Sequence, residues 1–217
     1  MLRNLVSLTT LFFIADQLNF SQASYCRAVA FSGGGSKGAF EAGVVIGLNH
    51  AKNPADVAWD VVSGVSAGAL NSGAISLWPP SQGKEMSEWL EQIWLNLTTP
   101  TIYKEWPNGA IDGLFNKAGF FDNSPLLSFV TNIFKQKGSF QRQIVVSAVD
   151  VNTGKYQVFD NSLGFDKFPT AIVASASIPF IFPHRDFDGF VLMDGSTAWN
   201  TNLNSAVDEC KKKGFTD

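Results

Sequence analysis

Charged residues are scarce in this sequence. Of its 217 residues, 16% are Asp, Glu, Lys or Arg, whereas an average soluble domain has about 25%. The net charge is −3 at neutral pH, and the basic residues form no longer run than 211–213. Because nucleic-acid binding requires a clustered cationic surface, this composition argues against DNA or RNA as a partner. Hydrophobic residues make up 45% of the chain, which favours a densely buried core, an apolar working surface, or both.

Histidine and cysteine are equally rare, with two of each. They do not show the ligand spacing of a metal site, so we expect neither a metal nor an organic cofactor. Cys26 and Cys210 lie far apart in the sequence. In an oxidising compartment they could pair and join the first strand to the last helix, and their spacing leaves this open.

Apolar runs of transmembrane length are missing as well, since a spanning helix takes about 20 residues. The shorter apolar run 5–14 follows Arg3 and precedes small residues at Ser21 and Ala23, a pattern typical of a secretory signal peptide. We predict a signal peptide over residues 1–23 and a mature domain over residues 24–217, secreted or retained in an endomembrane lumen, without a transmembrane span. The alternative is a buried N-terminal helix. The oligomeric state is left open.

What the mature chain does contain is an alternation of strand and helix patterns. The candidate strands are 28–31, 57–62, 142–150, 156–159 and 187–196. The candidate helices are 38–49, 67–77, 87–97, 125–136 and 169–177. Residues 99–122 show no regular pattern. This alternation predicts one α/β domain with three layers, α/β/α, around a mostly parallel central sheet.

A glycine-rich turn follows the first candidate strand, in the sequence RAVAFSGGGSKGAF. Gly33, Gly35 and Gly38 satisfy the spacing G-x-G-x-x-G, which can bind a dinucleotide pyrophosphate or hold the oxyanion of an ester under attack. A dinucleotide site needs an acidic residue at the carboxyl end of the second strand. Asp60 is at the right distance in sequence, but it precedes the apolar residues VVSG. This disfavours a dinucleotide-binding oxidoreductase.

The second strand is instead followed by GVSAG, residues 64–68. This is the G-x-S-x-G sequence of a nucleophile elbow, and it stands between a strand and a small-residue helix as such an elbow requires. Gly64 and Gly68 permit a tight turn that exposes the Ser66 hydroxyl. We therefore predict Ser66 as the nucleophile. The alternative is an ordinary strand-to-helix turn.

The two glycine turns explain each other if Ser66 attacks an ester carbonyl. The oxyanion that forms needs about two preorganised N–H donors at roughly 3 Å, and glycines let backbone amides approach it closely. Lys37 could steady this turn or meet an anionic head group, or it could be a solvated cation at a helix start. The predicted oxyanion hole comprises Gly33, Gly34, Gly35, Lys37 and Gly38.

The general base cannot come from a histidine in the usual order. In α/β-hydrolases the order is serine, acid, histidine, and His50 and His184 both precede Asp194. Asp194 ends an apolar strand, where partial desolvation would raise its proton affinity and let it accept the serine proton directly. We predict Asp194 as the general base and interpret Asp186 and Asp188 as turn formers.

At this point the sequence resembles the patatin-like phospholipases. The segments GGGSKGAF, GVSAGALN and MDGS look like the three signatures of that family, and ASASIPFIFP resembles the segment before the third. The resemblance covers residues 27–205. It implies a lipid acyl hydrolase with a dyad of Ser66 and Asp194. The third signature usually reads Asp-Gly-Gly or Asp-Gly-Ala, so Ser196 is a departure. The chain also stops soon after it, where relatives often continue, so a C-terminally incomplete domain stays open.

We therefore predict hydrolysis of fatty-acyl esters of phospholipids or related glycerolipids at a membrane or micelle surface, through an acyl-serine intermediate. The aromatic region 89–121 is a candidate lipid-facing rim, with Trp106 and Phe115 as its anchors, or else ordinary core packing. A catalytically silent lipid-binding or storage protein on the same scaffold is the alternative function. A serine peptidase or an esterase for small soluble esters is another.

Overall fold

The computed structural model describes residues 25–215, so the predicted signal peptide lies outside the described residues. Within them the strands are β1 (Ala28–Phe31), β2 (Val61–Gly64), β3 (Lys104–Glu105), β4 (Phe121–Asp122), β5 (Gln143–Asp150), β6 (Tyr156–Asp160), β7 (Arg185–Phe187) and β8 (Phe190–Asp194). The α-helices are α1 (Gly38–Ala51), α2 (Ala67–Ser76), α3 (Gly83–Asn96), α4 (Thr99–Ile102), α5 (Gly109–Asn116), α6 (Ser124–Lys137), α7 (Phe168–Ser175) and α8 (Leu203–Lys212).

The central sheet is mixed, and four of its six strands run in one direction. β1, β2 and β5 are parallel neighbours. β6 pairs antiparallel with β5 over residues 145–149 of β5 and so occupies one edge of that strand. β8 also pairs antiparallel with β5, over residues 148–150. β7 pairs antiparallel with β8 and therefore runs in the direction of β5.

This pairing places the carboxyl ends of β2 and β8 opposite each other. β2 pairs with residues 143–146 of β5 and β8 with residues 148–150. Because β6 fills the other edge of β5, β2 and β8 share one edge and meet end to end. β2 runs parallel to β5 and β8 runs antiparallel, so it is their carboxyl ends that converge.

Helices cover both faces of the sheet. On one face, α2 and α7 pack against the strands, and α1, α3 and α6 pack outside them. α8 forms the opposite layer against β1 and β2. Every residue of β2 is buried, as expected for a strand covered on both faces. The predicted three-layer α/β/α class is confirmed.

The boundaries of the long helices match the sequence patterns closely. α6 begins with Pro125 in its first turn, a position where proline needs no N–H partner. It ends at Lys137 and is capped by Gly138, whose φ of 81° is a left-handed conformation that glycine adopts without a Cβ penalty. A two-residue turn of Asp188 and Gly189, both with positive φ, connects β7 to β8. Asp188 is thus a turn former as predicted, whereas Asp186 lies within β7.

Two predicted regions differ from the structure. The second strand is expected at 57–62, but residues 54–57 form a 3-10 turn and β2 begins only at Val61, just after Asp60, whose carboxylate accepts the backbone N–H of Arg27. The segment 99–122 was expected to be irregular, yet it contains α4, α5 and a short β3–β4 ladder. These elements are too short to show a hydrophobic period.

Cys26 and Cys210 form a disulfide that joins the segment before β1 to α8. The Cα atoms are 5.7 Å apart. The pairing that the sequence left open is therefore present in the structure. Among residues 25–215, we find no helix whose length and hydropathy would let it cross a membrane.

Candidate active site

Ser66 stands at the sharp junction between β2 and α2. Its φ of 56° and ψ of −123° lie outside the regions that a residue with a Cβ ordinarily adopts, and such strain is characteristic of functional sites. The Ser66 N–H donates to the Ser175 hydroxyl at 2.9 Å. Ser175 in turn donates to the Ser147 carbonyl at 2.6 Å, so the strained turn is fastened to α7 and to β5.

The glycines on either side of Ser66 allow β2 and α2 to pack at backbone contact. A Cβ on Gly64 would overlap the carbonyl of Gly68. A Cβ on Gly68 would lie 2.5 Å from the Phe31 carbonyl oxygen of β1. Both glycines therefore set the depth at which α2 sits on the sheet, which agrees with their predicted place in the elbow.

Asp194 reaches Ser66 because β8 meets β2 end to end. The Ser66 Oγ donates to Asp194 Oδ2 at 2.6 Å, across 128 residues of sequence. Asp194 Oδ1 accepts the backbone N–H of Ser196 at 2.8 Å, which fixes the orientation of the carboxylate. The backbone N–H of Asp194 donates to the Ser177 carbonyl. The structure thus brings the predicted nucleophile and the predicted base into direct contact.

The carboxylate is almost completely buried, with Asp194 only 2% exposed. Burial raises the pKa of the Asp194 carboxyl above its ordinary value, and the hydrogen bonds from Ser66 and Ser196 oppose part of this rise. Ser66 is 4% exposed, so the hydrogen bond between the two residues is largely shielded from water. A carboxylate with raised proton affinity beside a hydroxyl is a suitable acceptor for its proton.

The glycine turn lies directly against this pair. A Cβ on Gly33 would lie 3.1 Å from the Ser66 Cβ and would overlap the Ser196 hydroxyl, so only glycine fits there. The Gly33 N–H donates to the Asn200 carbonyl at 3.0 Å, and the Asn200 side chain donates back to the Gly33 carbonyl. Gly33 therefore holds the turn in place with its amide already engaged.

Hydrogen bonding narrows the set of predicted oxyanion donors. The N–H of Lys37 donates to the Gly34 carbonyl, and the N–H of Gly38 donates to the carbonyls of Gly35 and Ser36. Within the described part of the chain, the N–H groups of Gly34 and Gly35 have no such acceptor. Both glycines are exposed and line the groove beside Ser66. The Lys37 side chain is exposed to solvent.

An apolar cavity of about 290 Å³ opens beside Ser66. Its floor includes Ser66 and Ala67, and its walls come from α2, α3, α4, α6 and the segment after α7. The hydrophobic wall residues include Leu70, Trp94, Leu97, Ile102, Leu126 and Ile181. A site of this character accommodates a hydrocarbon chain.

On its other side Ser66 faces a more polar groove of about 340 Å³. The groove is bordered by the glycine turn, by Asp194 and by Thr197 and Asn200. Ile178 lines both spaces. The hydroxyl of Ser66 thus lies between an apolar cavity and a polar groove.

The two proposed anchors of the aromatic rim differ in exposure, because Trp106 is partly buried and Phe115 is exposed. Trp106 donates its indole N–H to the Gly119 carbonyl at 2.9 Å and packs on Gly113, so it is a structural residue of the α5 region. Phe115 is 79% exposed, and Ile111, one helical turn earlier, is 75% exposed. The tryptophans of α3 pack against the core, as the alternative interpretation expected.

A further exposed aromatic residue was missed by the sequence analysis. Phe180 is 71% exposed and has a φ of 68°. Its carbonyl accepts the N–H of Phe120, and the neighbouring Ile181 carbonyl accepts the N–H of Phe121, so the strained segment is tied to the chain after α5. Ile178 and Ile181 on either side of Phe180 line the apolar cavity. From here on, the rim means three exposed residues only: Ile111, Phe115 and Phe180.

Other candidates lie away from the site. His50 lies in the last turn of α1, and His184 precedes β7; both are exposed. Conversely, Ser175 and Asn200 orient the site, yet the sequence contains no signal for either role. Their importance arises only from contacts with residues more than 100 positions away. No cluster of three or more metal-ligating side chains occurs in the described ranges of the chain.

The family model described as "Patatin-like phospholipase" matches residues 29–207. None of the curated proteins compared with the chain matches it. Among solved structures, VipD from Legionella pneumophila is similar, with 12% sequence identity and a TM-score of 0.47. The match covers 81% of this chain and 46% of the VipD chain, so the chain spans less than half the length of that protein.

Proposed function

Because the chain belongs to the patatin-like phospholipase family, we propose that it hydrolyses fatty-acyl esters of phospholipids or related glycerolipids through a dyad of Ser66 and Asp194. The observation that carries the proposal is the 2.6 Å hydrogen bond from the Ser66 hydroxyl to the Asp194 carboxylate. It joins a strained nucleophile elbow to a buried base without an intervening histidine.

In the first half-reaction, Ser66 Oγ attacks the ester carbonyl carbon while its proton moves to Asp194 Oδ2. The carbonyl oxygen becomes an oxyanion, which the N–H groups of Gly34 and Gly35 stabilise. The tetrahedral intermediate then collapses, the carbon–oxygen bond to the glycerol breaks, and Asp194 returns the proton to that leaving oxygen. The products are a free alcohol and an acyl ester of Ser66.

In the second half-reaction, water attacks the acyl ester. Asp194 accepts a proton from this water as its oxygen bonds to the carbonyl carbon, and the same amides hold the new oxyanion. When the intermediate collapses, the proton passes to Ser66 Oγ and the fatty acid leaves. The dyad is regenerated, and only water has been consumed.

The two spaces beside Ser66 support the assignment of the substrate. We place the acyl chain in the apolar cavity of about 290 Å³, and the glycerol with its head group in the polar groove. Burial of an acyl chain is favourable by about 0.8 kcal/mol for each methylene group, so the cavity favours lipids over short soluble esters. We further propose that the rim rests on the lipid surface from which the substrate is drawn.

The test compares the wild type with Ser66→Ala and Asp194→Asn on phosphatidylcholine vesicles, with fatty-acid release measured by mass spectrometry. Each variant is expected to lose at least about 10³-fold in rate, since a nucleophile and its base act as one unit. Asp186→Asn is the matched control, because Asp186 is exposed on the neighbouring strand β7. The control should retain wild-type activity.

A fluorophosphonate probe distinguishes this enzyme from a catalytically silent lipid-binding protein. Labelling of the wild type that disappears in Ser66→Ala supports the proposed nucleophile. If the wild-type protein is folded yet neither reacts with the probe nor releases fatty acid, the proposal is wrong. Substantial turnover by either dyad variant would contradict the assignment of roles.

We also propose that the mature chain, residues 24–217, acts outside the cytosol, in a secretory lumen or after secretion. The disulfide between Cys26 and Cys210 supports this, because structural disulfides persist mainly in oxidising compartments. Intact-mass analysis of protein collected from a secreting host should show a chain that begins at Ser24. A secreted chain that retains Met1 would contradict the cleavage.

A further inference from the structure

The glycine turn is clamped at both ends by one carboxylate. Glu41 lies in the first turn of α1, just after the glycine turn, and Ser32 lies just before it. Glu41 Oε1 accepts the Ser32 backbone N–H at 2.9 Å. The chain segment that carries Gly34 and Gly35 is therefore a closed loop whose two ends are held together by Glu41.

Asn71 connects this clamp to the helix behind Ser66. Its side chain is completely buried on α2. The Nδ2 group donates to Glu41 Oε2 and to the Gly38 carbonyl, both at 3.1 Å. Its Oδ1 accepts the indole N–H of Trp94 at 2.7 Å. Because an indole N–H can only donate, this contact fixes the orientation of the amide, and both N–H donors and the oxygen of the Asn71 side chain are engaged.

Trp94 is the member of this network that touches the apolar cavity. Its six-membered ring lies against Gly38, where a Cβ would be 2.6 Å from the ring carbons. The indole also forms part of the cavity wall. An acyl chain that fills the cavity would therefore press on a side chain that also contacts Gly38 and Asn71.

We propose that Trp94, Asn71 and Glu41 are positioning residues that couple the occupancy of the acyl cavity to the placement of the oxyanion donors. The inference rests on the proposed function and specifies its substrate. A chain long enough to reach Trp94 holds the ring on Gly38 and Asn71, and thereby holds the Glu41 clamp and the loop between its ends. A shorter chain does not reach Trp94, so it does not hold the indole, the Glu41 clamp or the loop in place.

The size of the cavity sets the chain length at which the coupling acts. A methylene group occupies about as much space as a water molecule, about 30 Å³, so a cavity of about 290 Å³ accepts about ten methylene groups. We expect kcat to increase with acyl length up to about ten carbons. A simple hydrophobic pocket would instead lower KM with length and leave kcat nearly constant.

The experiment measures kcat and KM for p-nitrophenyl esters from two to twelve carbons, with the wild type, Trp94→Phe and Glu41→Gln. Trp94→Phe keeps an aromatic ring but removes the indole N–H. In Glu41→Gln a single side-chain oxygen remains where the carboxylate had two. It cannot accept from both the Ser32 N–H and the Asn71 side chain, so one of these two hydrogen bonds is lost. In both variants the ratio of kcat for the ten-carbon ester to kcat for the two-carbon ester should fall about tenfold, a usual size for coupling between two sites.

Glu41→Gln is the sharper variant, because Glu41 is not part of the cavity wall. A change in its chain-length dependence cannot come from a direct contact between residue 41 and the acyl chain. Trp89→Phe is the matched control: Trp89 lies on the same helix, packs against Trp78, and does not border the cavity. Its ratio should equal that of the wild type.

The proposed coupling is wrong if both variants keep the wild-type ratio of kcat values. It is also wrong if both lose kcat equally at every chain length, because a general weakening of the fold would produce that result. Thermal unfolding of each variant identifies the second case independently. The proposed function fails differently, because alkyl fluorophosphonates of every length would then leave Ser66 unlabelled.

Discussion

The floor of the site, formed by Ser66 and Asp194, and the rim differ in burial and in the contacts that hold their side chains. At the floor, Ser66 and Asp194 are almost fully buried, and each is oriented by hydrogen bonds to neighbouring strands and helices. At the rim, Phe115 and Phe180 are more than 70% exposed. We relate this difference to the proposed roles: proton transfer at the dyad requires directional contacts at fixed distances, whereas the proposed contact of the rim with a lipid surface requires only apolar area.

The largest effect should come from disturbing the floor without changing a reactive group. Gly33→Ala introduces a Cβ within 3.1 Å of the Ser66 Cβ and against Ser196 and Asn200, so the glycine turn must move. Loss of one oxyanion donor costs about 10² to 10³ in kcat, and we expect a decrease of that size. Ester hydrolysis with a soluble substrate measures it.

Gly43→Ala provides the comparison for that substitution. Gly43 lies in the middle of α1, and a Cβ there would meet no atom within 4 Å. Activity should be unchanged and stability equal or higher, since alanine favours the helix. If Gly33→Ala is as active as Gly43→Ala, the close approach of the glycine turn to Ser66 is not needed for catalysis.

A smaller and more selective effect is expected at the rim. Replacing Ile111 and Phe115 together by serine removes two exposed apolar side chains from one face of α5. Vesicle binding should weaken by about tenfold, roughly the loss of 1.4 kcal/mol of apolar burial. Hydrolysis of a soluble ester should stay at the wild-type rate. Flotation of phosphatidylcholine vesicles and the two hydrolysis assays measure this.

Leu203→Ser is the control for the rim, because Leu203 is 56% exposed on α8, in the opposite layer of the fold. It should leave vesicle binding intact. Equal losses in the rim variant and in this control would mean that any apolar side chain contributes and that the rim has no special role. An unchanged rim variant would remove these residues from the lipid-facing surface.

The smallest effect concerns stability and pH. Burial raises the pKa of Asp194 in the folded protein. A carboxyl whose pKa is raised by folding stabilises the folded protein when the pH is below the pKa of the unfolded chain, about 3.9. This stabilisation is lost as the pH rises through the pKa of the folded protein. At pH 7 the ionised, buried carboxylate is therefore a cost, and Asp194→Asn should have a Tm equal to or above that of the wild type.

The sign can be checked across pH. The Tm difference between Asp194→Asn and the wild type should shrink towards acid, where the wild-type carboxyl is protonated. Wild-type hydrolysis should decrease over the same interval, because the base must be ionised to accept the serine proton. If Asp194→Asn stabilised the protein more at acid pH than at pH 7, the result would contradict a raised pKa of Asp194.

The site was more predictable than the short elements that surround it. GVSAG between an apolar strand and a small-residue helix is a local pattern, and so is Asp194 at the tip of β8. Residues 99–122 were expected to be irregular, because α5 and the two-residue strands there are too short to establish a period. The start of β2 was misplaced, since the contact of Asp60 with Arg27 is not visible in sequence.

The sequence by itself determined the candidate reactive side chains, the glycines beside Ser66 and the alternation that builds three layers, because these depend on local backbone conformation and hydrophobic pattern. Only the tertiary structure decided that β8 meets β2 end to end on β5, which amides remain free, and that Trp106 is structural whereas Phe180 is exposed. Hydrogen bonds between residues 13 to 167 positions apart settle those questions, and no short stretch of sequence shows which partners will meet.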